Sequence, residues 1–345
     1  MKHKLAWTTF GAAGLAAAIS LSAAGRSAGY VQESRTIIFD PQQKIYYADA
    51  TDKSIRALPV RDNVWMIVGA GANITVQTGD DGVLLVDTGA GAAATQKVQS
   101  LVRQLSTKTV RYILNTTYRP DHTGGNTDIA KAGSIIIGGN FAGQVRGQGA
   151  AIVAHENVLG RMSAPSGKTA PTPSNAWPTE TFYTPYHDLY FNGEGIKMIH
   201  QPNAVTDGDS IVYFRRSDVI SAGDIFQTTT YPMIDIKAGG TINGVIAGLN
   251  QILEVAIPKE KQEGGTMVIP GRGRICDEAD VVEYRDMLTI VRDRIQDAIK
   301  KGRTLQQVQA AGLTKDYDPR YGSRTGTWTT AMFIEAAYES LVKKP

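Results

Sequence analysis

The chain has 345 residues, a formal net charge of +3 and a single cysteine, Cys276. This nearly balanced charge gives no reason to expect a nucleic acid or an anionic membrane as a partner. A lone thiol cannot form an internal disulfide, so stability must come from a packed core, and the length allows one large domain or two smaller ones.

The N-terminus has the layout of a secretory signal peptide. Two lysines precede an Ala-rich apolar run that ends near Ala24. Small residues at positions −3 and −1 predict cleavage after Ala24, and therefore a periplasmic or secreted protein. An uncleaved anchor is the alternative, but a spanning helix needs about 20 strongly apolar residues, and this run is interrupted by Thr and Gly. No later segment is apolar enough to predict a membrane span.

Strands and helices are interspersed along the rest of the chain. In the first half, hydrophobic spacing predicts strands at 64–68, 74–77, 83–86, 110–114 and 134–137, and helices at 92–105, 125–131 and 156–162. Gly79–Gly82 has the chemistry of a hairpin turn. The Pro- and Ser-rich segment Ala164–Pro178 is predicted to be a mobile loop, serving either as a substrate lid or as a solvated connection.

The second half repeats a similar order of elements. Strands are predicted at 189–191, 197–200, 211–214, 219–221 and 267–269, and helices at 242–255, 278–301, 305–311 and 327–342. This alternation predicts an α/β (α+β) fold, a sandwich of two sheets with helices outside. The predicted divisions are a signal peptide (1–24), an N-terminal segment (25–54), a main domain (55–276) and a helical C-terminal extension packed on it (277–345).

Residues Asn115–Asn126 follow a buried strand, where open α/β folds place their chemistry. The segment resembles the metallo-β-lactamase superfamily signature, His-x-His-x-Asp-His followed by Gly-Gly-Asn. Further blocks resemble other family motifs in the same order and spacing: Val86–Gly89, Ala204–Ser210, Ala222–Asp224 and Ile269–Gly273. The resemblance covers about Val60 to Cys276.

This resemblance implies an αββα sandwich with its site at one edge, between the sheets. In the family, that site binds two metal ions, usually zinc. A metal-bound hydroxide there attacks an ester, amide or thioester, because the metals lower the pKa of the bound water and polarise the substrate carbonyl.

The sequence departs from the family at most of the metal-binding positions. Four positions where the family has histidine hold Thr117, Arg119, Val205 and Arg272. Threonine is a poor neutral ligand, valine offers no donor, and a protonated guanidinium has no lone pair to give. The surviving ligand positions are Asp121, His122 and Asp224, which fit a vestigial or a single-metal site.

Two of the replacements, Arg119 and Arg272, introduce positive charge into the site. Arg119 and Arg272 place positive charge where a dication would sit, and a guanidinium can neutralise a carboxylate through two hydrogen bonds. We hypothesise that an arginine–aspartate cluster has taken over the electrostatic role of the metals. Without it, Asp121 and Asp224 would be partly buried and uncompensated, at a cost of roughly several kcal/mol per ion.

Three functions compete at this stage. The first is a non-metal, catalytically impaired homologue without a cofactor: a binding or interaction protein, whose cleft could hold a small molecule, or a protein with scaffold value only. The second is a hydrolase of an ester, thioester or amide with one Zn, Mn or Fe ion on Asp121, His122 and Asp224. The third is metal-free chemistry with His122 as general base beside a carboxylate such as Asp121.

Three more histidines lie outside the quoted motifs. His155 and His187 are expected to be structural or surface residues rather than replacement ligands. His200 lies on a predicted strand, and its side chain could face either the site or the core.

Overall fold

The computed structural model describes residues 54–134, 149–165, 170–261 and 264–342, together with the backbone of two short strands near the N-terminus. Those strands, β1 (Ile37–Phe39) and β2 (Ile45–Tyr47), form an antiparallel hairpin in a unit that ends at Asp52. Residues from Lys53 onward form the second unit. The predicted signal peptide, most of the N-terminal segment and nearly all of the strand predicted at 134–137 lie outside the described residues.

The first large sheet has seven strands in the order β3 to β9. Its members are β3 (Arg56–Arg61), β4 (Val64–Val68), β5 (Ile74–Gly79), β6 (Gly82–Val86), β7 (Val110–Leu114), β8 (Ala151–His155) and β9 (Glu180–Phe182). The strands from β3 to β6 are antiparallel hairpins, whereas β6 to β9 run parallel. Parallel strands align their carboxyl ends along one edge, which is where the candidate site forms.

The second large sheet has five strands in the order β10 to β14. Its members are β10 (Tyr186–Phe191), β11 (Glu194–His200), β12 (Ser210–Phe214), β13 (Val219–Ser221) and β14 (Met267–Ile269). Only β13 and β14 pair in parallel. The buried hydroxyls of Thr75 and Ser221 hydrogen-bond at 3.0 Å between the two sheets, which shows that the sheets stack face to face.

Nine helices are found in the described residues. They are α1 (Ala92–Leu105), α2 (Pro120–Thr123), α3 (Asn126–Ala132), α4 (Glu156–Ser163), α5 (Ile242–Val255), α6 (Glu278–Lys300), α7 (Leu305–Ala310), α8 (Asp318–Tyr321) and α9 (Thr330–Val342). Capping boxes at Asp277 and Thr304 fix the starts of α6 and α7. None of these helices has both the length and the apolar composition to cross a bilayer.

Helices cover the outer faces of both sheets. Helices α1 and α3 pack on the seven-stranded sheet through an apolar cluster that includes Val98, Val102 and Ile129. Helices α5, α6 and α9 share a larger cluster with the five-stranded sheet. This arrangement confirms the two-sheet sandwich with a helical C-terminal region. The domain boundaries stay predictions.

The sequence missed several elements, among them strands β3, β8 and β9 and helices α2 and α8. Strand β8 is buried throughout, so it has no alternation, and its alanines leave too short a run of large apolar residues to mark a strand. The short helix α8 makes four C-terminal helices where three were expected; it carries Pro319 in its first turn. Helix α9 begins at Thr330 rather than Thr327, and the Thr329 hydroxyl accepts from the Met332 amide just at its start.

Candidate active site

The candidate site lies where several strands end. Asp87 directly follows β6, and helix α2, which begins six residues after β7, supplies Asp121 and His122. Asp224 lies in a 3-10 turn just beyond β13, and Arg272 follows β14 by three residues. The fold therefore brings together residues that are up to 185 positions apart in the sequence.

His122 is held between two carboxylates and has no exposed surface. Its Nδ1 lies 2.7 Å from Asp87 Oδ2, and its Nε2 lies 3.2 Å from Asp224 Oδ1. Asp87 is itself fixed by Thr116, whose amide and hydroxyl donate to it at 2.9 and 2.6 Å. The backbone of Asp87 has φ +63°, a conformation that Asp and Asn tolerate better than most residues.

Both arginines point at the aspartates. Arg119 Nε lies 3.2 Å from Asp224 Oδ2 and 3.7 Å from Asp121 Oδ1. The Arg272 guanidinium forms an ion pair with Asp121 through Nη2, and its Nη1 donates to the carbonyl of Gly71 at 3.4 Å. The other end of the Arg119 guanidinium donates to Met233 Sδ at 3.6 Å.

These six residues, Asp87, Asp121, Asp224, Arg119, His122 and Arg272, form what we call the charge cluster. Burial alone would lower the pKa of His122, but the charges of Asp224 and Asp87 outweigh it and raise the pKa to about 10. Three carboxylates thus meet three cationic groups, and the cluster has no net formal charge at neutral pH.

The other shifted groups follow the same reasoning. Burial raises the pKa of Asp224, but His122 and Arg119 overcome that effect and leave it below its usual value. The pKa of Arg272 is lowered, first by burial and then by repulsion from Arg119. Each carboxylate of the cluster is therefore compensated by a cation from this chain.

Two glycines let the backbone approach the cluster closely. A Cβ on Gly271 would lie 2.6 Å from the Gly223 carbonyl and 2.9 Å from Asp224 Oδ1. Gly223 has φ +54°, and a Cβ there would meet Thr116 Oγ1 at 2.8 Å. The Gly223–Asp224 and Pro270–Gly271 motifs therefore hold Asp224 in place even though the neighbouring histidine position is Arg272.

The other two positions where the family has histidine, Thr117 and Val205, carry no charge and do not belong to the charge cluster. Thr117 is buried in the loop, three residues beyond β7. Val205 is fully buried in the apolar cluster shared with α5 and α6, and its carbonyl accepts from the Asp235 amide at 2.9 Å. The latter position has therefore become part of the hydrophobic core.

The donor set does not fit two metal ions. In the described part of the chain, Asp121, His122 and Asp224 form the only group of three or more candidate ligands, with donor atoms within 4.8 Å of one another. A second ion would find no imidazole. A single ion would compete with Arg119 and Arg272, whose nitrogens already lie against the same carboxylates.

Several residues that support the site had no predicted role. Asp87 and Thr116 orient His122. Asp87 lies in the strand-end motif Val86–Gly89, which was the sequence signal that could have identified it. Asp209, in the Gly-Asp-Ser motif, accepts from Thr206 N and Oγ1 at 2.7 and 2.8 Å. Burial raises the pKa of Asp209 to about 6, against the lowering effect of these hydrogen bonds. No sequence pattern indicated that Met233 would contact Arg119.

The histidines outside the motifs do not join the cluster. His155 and His200 stack on each other with centroids 3.6 Å apart and planes 6° apart. His155 Nδ1 accepts from the Asn157 amide at the start of α4, and His200 Nε2 contacts the Asp207 carbonyl at 2.7 Å. His187 stacks near Phe182 on the same side. We call His155 and His200 the histidine stack.

The described ends of the predicted loop are attached to the fold. Trp177 packs with Tyr118 against the buried side chains of Ala154, Val158 and Met162. Its indole donates to the Thr172 carbonyl at 2.8 Å. The lid and the solvated connection remain alternatives.

Comparisons with known proteins agree with this architecture. Residues 68–272, more than half of the chain, match the model of the Metallo-beta-lactamase superfamily. The chain therefore belongs to the metallo-β-lactamase superfamily.

Individual relatives are distant. The chain is 20% identical over 252 residues to a "Linear primary-alkylsulfatase" of Pseudomonas sp. (strain ATCC 19151), which covers 65% of this chain and 46% of the relative. The structure of the stereoselective inverting sec-alkylsulfatase Pisa1 from Pseudomonas sp. superposes with a TM-score of 0.59 at 16% identity, over 89% of this chain and 57% of that one. This chain thus spans about half the length of these alkylsulfatases.

A metallo-β-lactamase from Pontibacter korlensis superposes with a TM-score of 0.51 at 15% identity. That match covers 68% of this chain and 99% of the lactamase. At these identities, the structural matches establish the fold alone.

Proposed function

We propose that this chain is a metal-independent member of the superfamily, in which the charge cluster has replaced the dinuclear centre and the cleft binds a small molecule. The observation that carries this proposal is the pairing of each carboxylate with a cation. Asp121 faces Arg272, Asp224 faces Arg119, and His122 bridges Asp224 and Asp87. A site that is already neutral gains little from a dication and must break these pairs to admit one.

The same cluster disfavours metal-free acid–base catalysis by His122. A general base works best with a pKa near the operating pH, and a group with a pKa of about 10 stays protonated at neutral pH. The imidazole is also fully buried, with both ring nitrogens facing carboxylates. The protonated ring serves as a structural cation here.

One observation favours a second candidate, a hydrolase with a single metal ion on Asp121, His122 and Asp224. Both carboxylate oxygens of Asp224 and Nε2 of His122 are buried and make no hydrogen bond of good geometry, although they face charged partners. Atoms of this kind can serve as metal ligands if Arg119 and Arg272 swing away. The alkylsulfatase relatives add sulfate esters to the candidate substrates of such an enzyme, beside esters, thioesters and amides.

We further propose that the protein acts outside the cytoplasm, in the periplasm or secreted. The basic start, the apolar run and the small residues before Gly25 support export. Alkaline phosphatase fused after Ala24 tests this, because that enzyme is active only when it is exported.

Metal content decides between the two candidate functions. The purified protein, dialysed against zinc and then against buffer, should retain far less than one ion per chain. A double variant, Arg119→Met with Arg272→Met, removes two positive charges and should gain zinc, because the three candidate ligands lose their competitors. Arg161→Met is the matched control, since Arg161 pairs with Asp207 outside the cluster.

Turnover completes the test. Assays with a carboxylic ester, a β-lactam and an alkyl sulfate should show no activity above that of the His122→Ala variant. Stoichiometric zinc in the unmodified chain, together with turnover that His122→Ala abolishes, would establish the hydrolase and overturn the metal-independent function.

A further inference from the structure

The most exposed aromatic side chains of the described residues gather at one sheet edge. Tyr183, Tyr186 and Tyr190 are 76%, 54% and 74% exposed, whereas the other exposed large apolar residues are scattered over helices. Tyr186 and Tyr190 lie on β10, and Tyr183 precedes it. Tyrosine is enriched in protein interfaces, and a concentrated aromatic patch marks an interaction site more often than scattered residues do.

Strand β10 is an edge strand with little of the usual protection. Among the described residues it pairs only with β11, over six consecutive residues without a bulge. The other three edges of the large sheets are blunted: β9 and β14 are three residues long, and β3 carries Pro59, two arginines and an irregular register. Short strands, proline, bulges and charged side chains all discourage strand pairing. Of these features β10 has only a charged side chain, Asp188, whose carboxylate is paired with Lys197.

The hydrogen-bond pattern shows which backbone groups face the free edge. In an antiparallel pair, successive residues bond alternately toward the neighbour and away from it. The Pro185 carbonyl accepts from the His200 amide at 2.9 Å, so every second residue from Pro185 onward bonds toward β11. The backbone groups of Tyr186, Asp188 and Tyr190 therefore face away from β11.

A local hydrogen bond agrees with this assignment. The Thr184 hydroxyl donates to the Tyr186 carbonyl at 2.7 Å, so that carbonyl is not used by β11. Tyr186, Asp188 and Tyr190 are also the residues whose side chains are exposed, whereas Phe191 is buried against Tyr112. The backbone groups of three residues thus face the free edge, and two of these residues, Tyr186 and Tyr190, also carry the exposed aromatic side chains.

The side chains on this face suit a copy of themselves. Lys197 lies 3.2 Å from Asp188 Oδ1 and 4.0 Å from the centre of the Tyr186 ring, so the patch has no excess charge to repel an identical patch. Tyr190 stands opposite Gly195, which provides no side chain to cover its ring. The Tyr190 ring is therefore available to a partner.

From these observations we infer that β10 pairs antiparallel with β10 of a second copy about a two-fold axis, extending the five-stranded sheet across a dimer. The register that uses all three residues whose backbone faces the free edge places Asp188 opposite Asp188 of the second copy. Tyr186 of each copy then lies opposite Tyr190 of the other, which gives two aromatic pairs. Cross-strand aromatic pairs stabilise a sheet, and the two Lys197 ammonium groups offset the repulsion of the central carboxylates.

The association constant of the full chain tests the dimer. Sedimentation velocity across a concentration series should show a reversible monomer–dimer equilibrium. Tyr190→Lys should weaken it by about tenfold or more, because two aromatic pairs are lost and two charges are added. Ile290→Lys, at an exposed apolar position on α6, should leave the dimer unchanged.

A cysteine scan tests the register. Directly opposite residues of a hydrogen-bonded antiparallel pair have Cα atoms about 5.5 Å apart, a distance that a disulfide can bridge. Under mild oxidation the Asp188→Cys chain should form a disulfide dimer, and Tyr186→Cys should not, because its opposite residue is tyrosine. The chain's own Cys276 is buried. A monomer at all concentrations, a dimer insensitive to Tyr190→Lys, or equal cross-linking at both positions would overturn the inference.

Discussion

The charge cluster and the histidine stack each contain a buried histidine at the same edge of the seven-stranded sheet, yet their electrostatics are opposite. His122 has no exposed surface and His155 has 4%. The pKa of His122 is raised to about 10, whereas that of His155 is lowered to about 4. Burial lowers the pKa of both rings, so the difference must come from their neighbours.

His122 faces two carboxylates, whereas His155 faces another imidazole. Burial is the largest cause of the lowered pKa of His155, and His200 adds to it, while Asp207 opposes both. Two parallel rings 3.6 Å apart cannot both carry a proton without strong repulsion. The cluster therefore stabilises a charged ring and the stack a neutral one. Carboxylate partners overcome the effect of burial at His122, whereas the imidazole partner of His155 adds to it.

The largest effect is expected when a carboxylate beside His122 is removed from the charge cluster. Asp87→Asn keeps a side chain that tolerates φ +63°, but it leaves the His122 imidazolium with Asp224 alone. Breaking a buried ion pair costs about 3–5 kcal/mol, so the free energy of unfolding in urea should fall by roughly that amount. Asp62→Asn, at an exposed turn position with φ 48°, is the control and should change stability little.

A loss of less than about 1 kcal/mol in Asp87→Asn would contradict a protonated His122, because a neutral ring needs no second carboxylate. The ring nitrogens report the same state directly. In chelator-treated protein, their 15N shifts should remain those of an imidazolium at pH 8.

The next test follows stability across pH in the same chelator-treated protein. An unfolded histidine has a pKa near 6.5, so the raised pKa of His122 stabilises the fold fully below pH 6.5. That contribution is lost as pH rises through about 10. Urea midpoints should therefore fall between pH 7 and 10, and the decline should be weaker in His122→Gln, which cannot be protonated. Equal slopes in both chains would refute the assignment.

Sequence alone predicted the frame of the site well. The order and spacing of motifs around Asp121, His122 and Asp224 follow a family pattern, and strand-end loops converge for topological reasons. Two-sheet architecture followed from hydrophobic periodicity and that pattern together. Position-by-position comparison also named Arg119 and Arg272 as the residues at histidine positions.

What the sequence did not predict depends on contacts between distant residues. The His155–His200 stack joins β8 to the end of β11, and β8 itself gave no periodic signal because both of its faces are buried. Met233 contacts Arg119 across 114 positions. No local pattern encodes such pairs, so the charge state of each histidine became apparent only with the fold.

The smallest expected effect concerns the stack. The lowered pKa of His155 means that the unfolded chain binds a proton between pH 6.5 and about 4 that the folded chain does not, so stability falls as pH drops through this window. His155→Asn keeps a side-chain acceptor for the Asn157 amide but does not titrate. Between pH 6 and 4.5, the unfolding free energy of the parent chain should therefore fall more steeply than that of His155→Asn. The difference in slope should be on the order of 1 kcal/mol per pH unit. His187→Asn is the control, because His187 lies near the histidine stack but is not part of it. This variant should keep the acid sensitivity of the parent chain. If His187→Asn loses that sensitivity and His155→Asn retains it, His155 is not the neutral ring, and the contrast with His122 fails.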